Sequence, residues 1–289
     1  MRSEQEMFDL ILNTAREDER IRAVMMNGSR ANPNAPHDFF QDFDIVYFVT
    51  DAEPYTRNLE WIKRFGEMMI LQLPVDMADP PPVDADGYCY LMQFMDGNRI
   101  DLSIYPIASL AKWEKDSQTV ILLDKDGLFV GTPPASDADY LPKPPTAKQY
   151  FDCTNEFWWM NPYAAKGLWR QEFPNARHMM DEYVREQLMK MLSWYVGMKT
   201  GFKVSTGKGG KYLEKYVEPE LWQLLLKTYA GGSYEQSWQA LFAMCELFRV
   251  VALRVAEHFG YEYPQGDDER VSAHLWHVKE LPRDAKEMY

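Results

Sequence analysis

The run Phe43-Asp44-Ile45-Val46-Tyr47-Phe48-Val49 constrains this chain more than any other stretch. Beyond Asp44 it is apolar or aromatic at odd and even positions alike. Side chains of a strand alternate between faces, so such a run is covered on both sides, and its β-branched and aromatic residues predict a central strand. Two carboxylates, Asp42 and Asp44, nevertheless stand at its mouth. Residues two apart on a strand project the same way, and like charges at that spacing repel unless protonated, solvated or bridged by a cation. A bare Asp-x-Asp is commonly no more than a polar strand start, so the surrounding chain has to decide its meaning.

The first half alternates between helical and extended patterns. Met7, Leu10, Ile11 and Thr14 recur at helical spacing behind Ser3, with Glu6 three residues after the cap, the signature of a capped helix. The sequence IRAVMMN reads as a short buried strand followed by a turn at Gly28-Ser29-Arg30. Residues 57 to 69 predict a crossover helix. YCYLMQFMDGNRIDLSIYP predicts two strands around Asp96-Gly97-Asn98, a strong hairpin signal.

Five prolines between residues 132 and 146 (Pro133, Pro134, Pro142, Pro144 and Pro145) predict a linker, because proline continues neither a helix nor the middle of a sheet. The expected boundaries are a first domain over 1–135, a linker over 136–146 and a helical domain over 147–289. In the latter, Trp238, Leu241, Phe242, Cys245, Phe248, Ala252 and Val255 form one apolar helix face. EYVREQLMKMLSWYVG predicts another helix, stopping at Gly197. The expected class is α+β, a mixed sheet with flanking helices followed by an all-helical domain.

A net charge of -13 argues against nucleic acid and against an anionic membrane surface as partners, since phosphates attract basic faces. It suits a cationic small molecule. Cys89, Cys153 and Cys245 are odd in number and widely spaced, as expected of reduced thiols in a cytoplasmic protein. The first residues carry scattered charges and no apolar core of a signal peptide, and no stretch is apolar enough to span a bilayer. A monomer is the default expectation.

Asp101, in NRIDLSIY, is a third acid inside an apolar strand, costly there without a partner. If its strand neighbours that of Asp42 and Asp44, three carboxylates converge on one spot. Hard divalent cations such as magnesium favour that kind of oxygen cluster and usually retain substrate phosphates in their remaining positions. Gly28-Ser29-Arg30 supplies the complementary half, a glycine-led turn offering backbone N–H groups, a hydroxyl and a positive charge to a phosphate.

Gly28-Ser29-Arg30, Asp42-x-Asp44 and Asp101 together match the signature of the nucleotidyltransferase superfamily that includes DNA polymerase β. GSRANPN, FQDFDIVYFV, GNRIDLSI, NEFWW, AKGLWR and GKGGKYLEKY more specifically resemble the streptomycin (aminoglycoside 6-) adenylyltransferases, over most of the chain. The resemblance implies magnesium-dependent transfer of AMP from ATP to a drug hydroxyl. It implies that Asp42 and Asp44 hold two magnesium ions, and that Asp101 holds the catalytic one and helps to take the hydroxyl proton.

Lys208 and Lys211, in GKGGKY, are not part of a P-loop, because the glycine spacing is wrong and Gly209 follows the lysine. Related drug adenylyltransferases use a lysine on the ATP phosphates, and the resemblance assigns that role to one of these two. Glu156, Trp158, Glu182 and Glu186 are candidate drug-binding residues, since acidic and aromatic side chains lining an interdomain cleft suit the guanidinium groups of streptomycin. Trp159 and Asp181 lie beside them. His274 and His277 form an H-x-x-H without a third ligand in view and read as surface or packing residues. A non-catalytic relative, an antitoxin or nucleotide sensor, would fit the same fold, but retention of all three acids favours catalysis.

Overall fold

The structure, a computed structural model, describes residues 1–82 and 87–289. It comprises two units, Met1–Asp139 and Tyr140–Tyr289, divided inside the proline-rich segment.

The first unit runs α1 (Glu4–Glu17), β1 (Ile21–Asn27), α2 (Gly28–Ala31), β2 (Phe43–Val49), α3 (Leu59–Ile62), β3 (Met68–Gln72), β4 (Tyr88–Phe94), β5 (Arg99–Pro106) and β6 (Val120–Asp124). The strands form one mixed sheet in the order β3-β4-β5-β2-β1-β6. β2 is interior, as its two-sided apolar run requires. Its pairing with β1 is antiparallel and that with β5 parallel.

Strand parity sorts the core. Phe43, Ile45, Tyr47 and Val49 join the larger cluster, with Met7 and Ile11 of α1, Trp61, Phe65, Tyr90 and Leu102. Val46 and Phe48 face the other way, onto Ala23, Met25, Trp113 and Phe129. The capping box of Ser3 and Glu6 is formed as expected. Such a cap contributes about 1 kcal/mol, whereas each fully buried Met or Ile side chain contributes about 2 kcal/mol. Packing therefore holds α1 to the sheet, and the cap sets where it starts. The Tyr47 hydroxyl donates to the Ile11 carbonyl at 2.6 Å, pinning α1 over the central strand.

Two expectations for this unit are corrected. Residues 57 to 69 do not form a crossover helix. One helical turn, α3, and a tighter turn at Lys63–Phe65 are followed by Gly66 at φ 128°, and the chain then enters β3. Trp61, Ile62 and Phe65 meet the helical spacing and are buried, but hydrogen bonding to β4 draws the following residues into an edge strand. β6 was not expected either; its residues are half-buried throughout, so neither alternation nor a continuous buried run marks it.

The second unit is helical: α4 (Ala147–Trp169), α5 (Phe173–His178), α6 (Arg185–Thr200), α7 (Pro219–Lys227), α8 (Tyr234–Phe259) and α9 (Gln265–Glu280), with a π-helical turn at Met179–Val184 before α6. Its core centres on α4 and α8, where the rings of Phe157 and Phe248 stack at 3.7 Å. The α8 face expected from its periodicity is buried, with Phe242 at its margin. α6 does not stop at Gly197 but continues to Gly201, which adopts the left-handed cap at φ 61°. Gly197 serves packing instead, because a Cβ there would lie 2.4 Å from the Phe202 ring. Among the described residues, no helix is long and apolar enough to cross a membrane.

Candidate active site

The parallel register of β2 and β5 sets Asp44 beside Asp101 and Phe43 beside Ile100. Both aspartates lie on the sheet face opposite the larger core, because their neighbours Ile45 and Leu102 point into that core. Asp42, one pleat earlier, projects to the same side as Asp44. The three candidate acids thus meet at one end of adjacent strands, while the rest of those strands stays apolar.

Gly28 makes room for this arrangement. It begins α2 directly after β1, whose last residue, Asn27, pairs with Asp44. Its φ is +73°, and a Cβ would lie 2.2 Å from Asp44 Oδ2. Only glycine satisfies both the left-handed backbone and the close approach of the carboxylate. Asn27 Oδ1 accepts from the Thr119 hydroxyl at 2.9 Å and gives α2 no side-chain cap. The first amides of that turn, with the half-buried Ser29, therefore sit next to the carboxylates without a capping side chain.

Arg30 is tied down by neighbours within its own unit. Its side chain is 7% exposed and ion-pairs with Glu4 at 2.7 Å. It also donates to the Gln41 and Asp42 carbonyls at 2.7 and 3.3 Å and lies 4.0 Å from the Phe43 ring centre. These partners engage all three guanidinium nitrogens. Arg30 is a clamp on the loop that delivers Asp42.

The arginine that enters the acidic cluster is Arg99, which the sequence reading missed. Its Nε and Nη2 donate to Asp101 Oδ1 and Oδ2 at 2.7 and 2.8 Å, and its Nε lies 3.6 Å from Asp42 Oδ2. A signal was available: Arg99 and Asp101 are two apart on one strand and must share a face. Hydrogen bonding to Asp101 holds Arg99 still more firmly protonated. Burial pushes the Asp42 carboxyl up, with Arg99 opposing and the charge of Asp101 reinforcing the shift. Asp44 is pushed up to about 6, first by burial and then by the charges of Asp101 and Asp42.

Three carboxylates of this kind suit a hard divalent cation, whose charge would relieve the repulsion that raises Asp44. Arg99 supplies positive charge at this spot, bridging two of the three acids. Among the described residues, no three acid, histidine or cysteine side chains are already gathered to hold an ion; Asp101 is turned onto Arg99.

In the second unit, Lys208 and Lys211 are exposed on the short turn preceding α7, with Lys211 Nζ 5.0 Å from the Tyr212 ring centre. Glu182 and Glu186 are exposed and Glu156 is half-buried. Trp158 is corrected: at 2% exposed it packs against Phe157 and Phe248 in the helical core, whereas Trp159 is 62% exposed. One residue's rotation on α4, about 100°, turns one indole inward and the next outward. His274 bonds the Tyr289 hydroxyl at 2.6 Å and His277 the Met288 carbonyl, so both hold the C-terminal residues.

The family model for streptomycin adenylyltransferase matches residues 1–278. An aminoglycoside 6-adenylyltransferase of Campylobacter jejuni is 43% identical over 269 residues, 93% of either chain. One from Bacillus subtilis (strain 168) is 40% identical over 270 residues, covering 93% of this chain and 95% of that protein. A crystal structure of an aminoglycoside 6-adenyltransferase from Bacillus subtilis covers 97% of this chain and all of its own, with 36% identity and a TM-score of 0.48. With a family match over residues 1–278 and relatives of this identity, the chain belongs to the streptomycin adenylyltransferase family, a family of nucleotidyltransferases.

Proposed function

We propose that this protein transfers AMP from ATP to a hydroxyl of an aminoglycoside, with streptomycin as the preferred drug. The observation carrying this reading is the in-register pair Asp44 and Asp101 beside Gly28, in a chain of this family. Asp42, Asp44 and Asp101 would hold magnesium, which when bound neutralises the phosphates and orients the displaced groups. The amides that begin α2 and the Ser29 hydroxyl bind phosphate oxygens. Gly28 keeps the phosphate turn in contact with Asp44, and Arg30 fixes the loop that carries Asp42. Asp101, on a separate strand, accepts the proton of the attacking drug hydroxyl. Lys208 or Lys211 adds charge to the nucleotide phosphates. Glu156, Glu182 and Glu186 offer carboxylates to a cationic drug; Trp158 is withdrawn from that set because it is buried.

Incubation with ATP, magnesium and a panel of aminoglycosides tests the reading. Drug-dependent pyrophosphate release and a drug product heavier by one AMP are expected, greatest with streptomycin. Nucleotide binding without turnover on any drug would instead favour the nucleotide-sensor reading.

A further inference from the structure

We infer that Arg99 is an internal counter-ion that competes with the divalent cation for Asp101 and Asp42, so that the nucleotide-free protein holds metal weakly until this arginine is displaced. The inference rests on the functional reading above only in taking these acids as the cation's ligands.

Arg99 opens β5 immediately after the hairpin turn. It shares the face of Asp101, and its Nε lies 3.6 Å from Asp42 Oδ2. On its other side it pairs with Gln93, whose amide donates to the Gly97 and Asn98 carbonyls at 3.1 Å and secures the turn. The guanidinium spans both oxygens of Asp101 in a two-point contact, the strongest geometry available to a carboxylate. Those oxygens are the ones a cation would have to share. With Asp101 so engaged, the acids do not form a ready cage among the described residues. The same contact offsets the cost of crowding three carboxylates together before substrate arrives. Arg99 is 39% exposed at its side chain and lies toward solvent, so its release needs no repacking of the core.

The roles of stabiliser and competitor make opposite demands on one substitution. Removing the charge should weaken the metal-free protein while strengthening its hold on metal. A merely structural arginine would weaken both.

Manganese binding to the full chain without nucleotide, followed by electron paramagnetic resonance, tests this with wild type, Arg99→Gln, Arg99→Lys and Arg99→Gln/Asp101→Asn. Arg99→Gln should bind manganese about tenfold more tightly, the scale of one charge-assisted contact. Its metal-free melting temperature should fall and recover further than wild type as manganese is added. Arg99→Lys, which keeps charge but loses the fork, should fall between them. The gain should shrink to what competition for Asp42 alone supplies when Asp101→Asn is added. Manganese affinity that is unchanged or lower in Arg99→Gln overturns the inference, as does a gain undiminished by loss of Asp101. If Arg99→Gln does not fold, an affinity of Arg99→Lys no higher than wild type overturns it equally. Drug-dependent pyrophosphate release by wild type is measured separately, so a failure here with transfer intact leaves the functional reading standing.

Discussion

At the scale of single residues, the proposed function gives the three acids different tasks. Asp44 lies on β2 with Asp42 just ahead of it, and Asp101 lies on β5, so under that proposal a nucleotide-bound cation would keep two ligands when Asp101 is removed. Asp101→Asn is expected to leave ATP–magnesium binding within about tenfold, roughly 1.4 kcal/mol. Turnover should fall at least about a hundredfold, the range for loss of a positioned base. Calorimetry with ATP beside single-turnover rates checks the split; joint collapse of binding and rate would reduce Asp101 to a metal holder. Asp44→Asn, in contrast, should abolish both, with metal-free thermal stability unchanged or higher because a repelled carboxylate is gone. The acids were legible from strand parity, and so in principle was Arg99. The task of Arg30 was not, since Glu4 and Phe43, distant in sequence or on another element, turn its side chain away.

At the scale of elements, the site depends on one turn, α2, meeting one strand, β2. The turn starts at a glycine whose missing Cβ is the space occupied by Asp44. Gly28→Ala should therefore displace the carboxylate as well as strain the backbone, costing about 1 kcal/mol or more in stability. Turnover should fall more steeply than stability, by at least about tenfold if Asp44 shifts by a fraction of an ångström. Thermal melts and rates measured together decide this: a variant with wild-type turnover would show that Asp44 need not rest against the turn. The strands β1 and β2 carried their own signal as runs buried on both faces, and β4 and β5 as alternating ones. The edge elements β3 and β6 did not, being half-exposed and held mainly by pairing with a neighbour.

For the whole molecule, acidity has both structural and functional consequences. In the helical unit, Asp268 is 1% exposed, receives both Arg249 nitrogens at 2.5 Å, and accepts from Tyr263 and Ser272 at 2.7 and 2.9 Å. Burial would raise its carboxyl, but these donors prevail and hold it below the usual range. A carboxyl lowered by folding contributes stability above its unfolded pKa, about 3.9, and loses it as pH falls toward the folded value. Asp268→Asn should cost about 3 kcal/mol near neutrality, since it leaves Arg249 partly buried and unpaired. That deficit relative to wild type should shrink below about pH 4, where the unfolded chain's carboxylate takes up a proton that the native one does not, and be lost as pH falls through the lower folded value. A deficit constant from neutral to acidic pH, by thermal melts, would mean the charge is not what matters. The net charge of -13 also bears on the drug. If exposed carboxylates recognise its guanidinium groups, streptomycin affinity should drop several-fold, roughly, when salt rises beyond the point where the screening length is shorter than ~10 Å. Affinity indifferent to salt would point to stacking in place of ion pairing.

The amino-acid sequence alone determined what depends on neighbours along the chain: the capped start of α1, the buried strands, the hairpin at Gly97, and Asp42 and Asp44 on one face. Those follow from local backbone preference and from parity, which any short segment carries with it. Tertiary structure decided what depends on residues brought together from afar. The parallel pairing of β2 with β5 set Asp101 beside Asp44. Packing against Phe248 buried Trp158, and the Phe202 ring came to lie over Gly197 inside an α6 that caps at Gly201. That Arg99 faces the acids follows from its parity with Asp101, but that Arg30 clamps a loop was settled by partners up to 26 residues away. Motif spacing carries no information about such partners, because a long, flexible side chain points wherever the folded surroundings satisfy its charge.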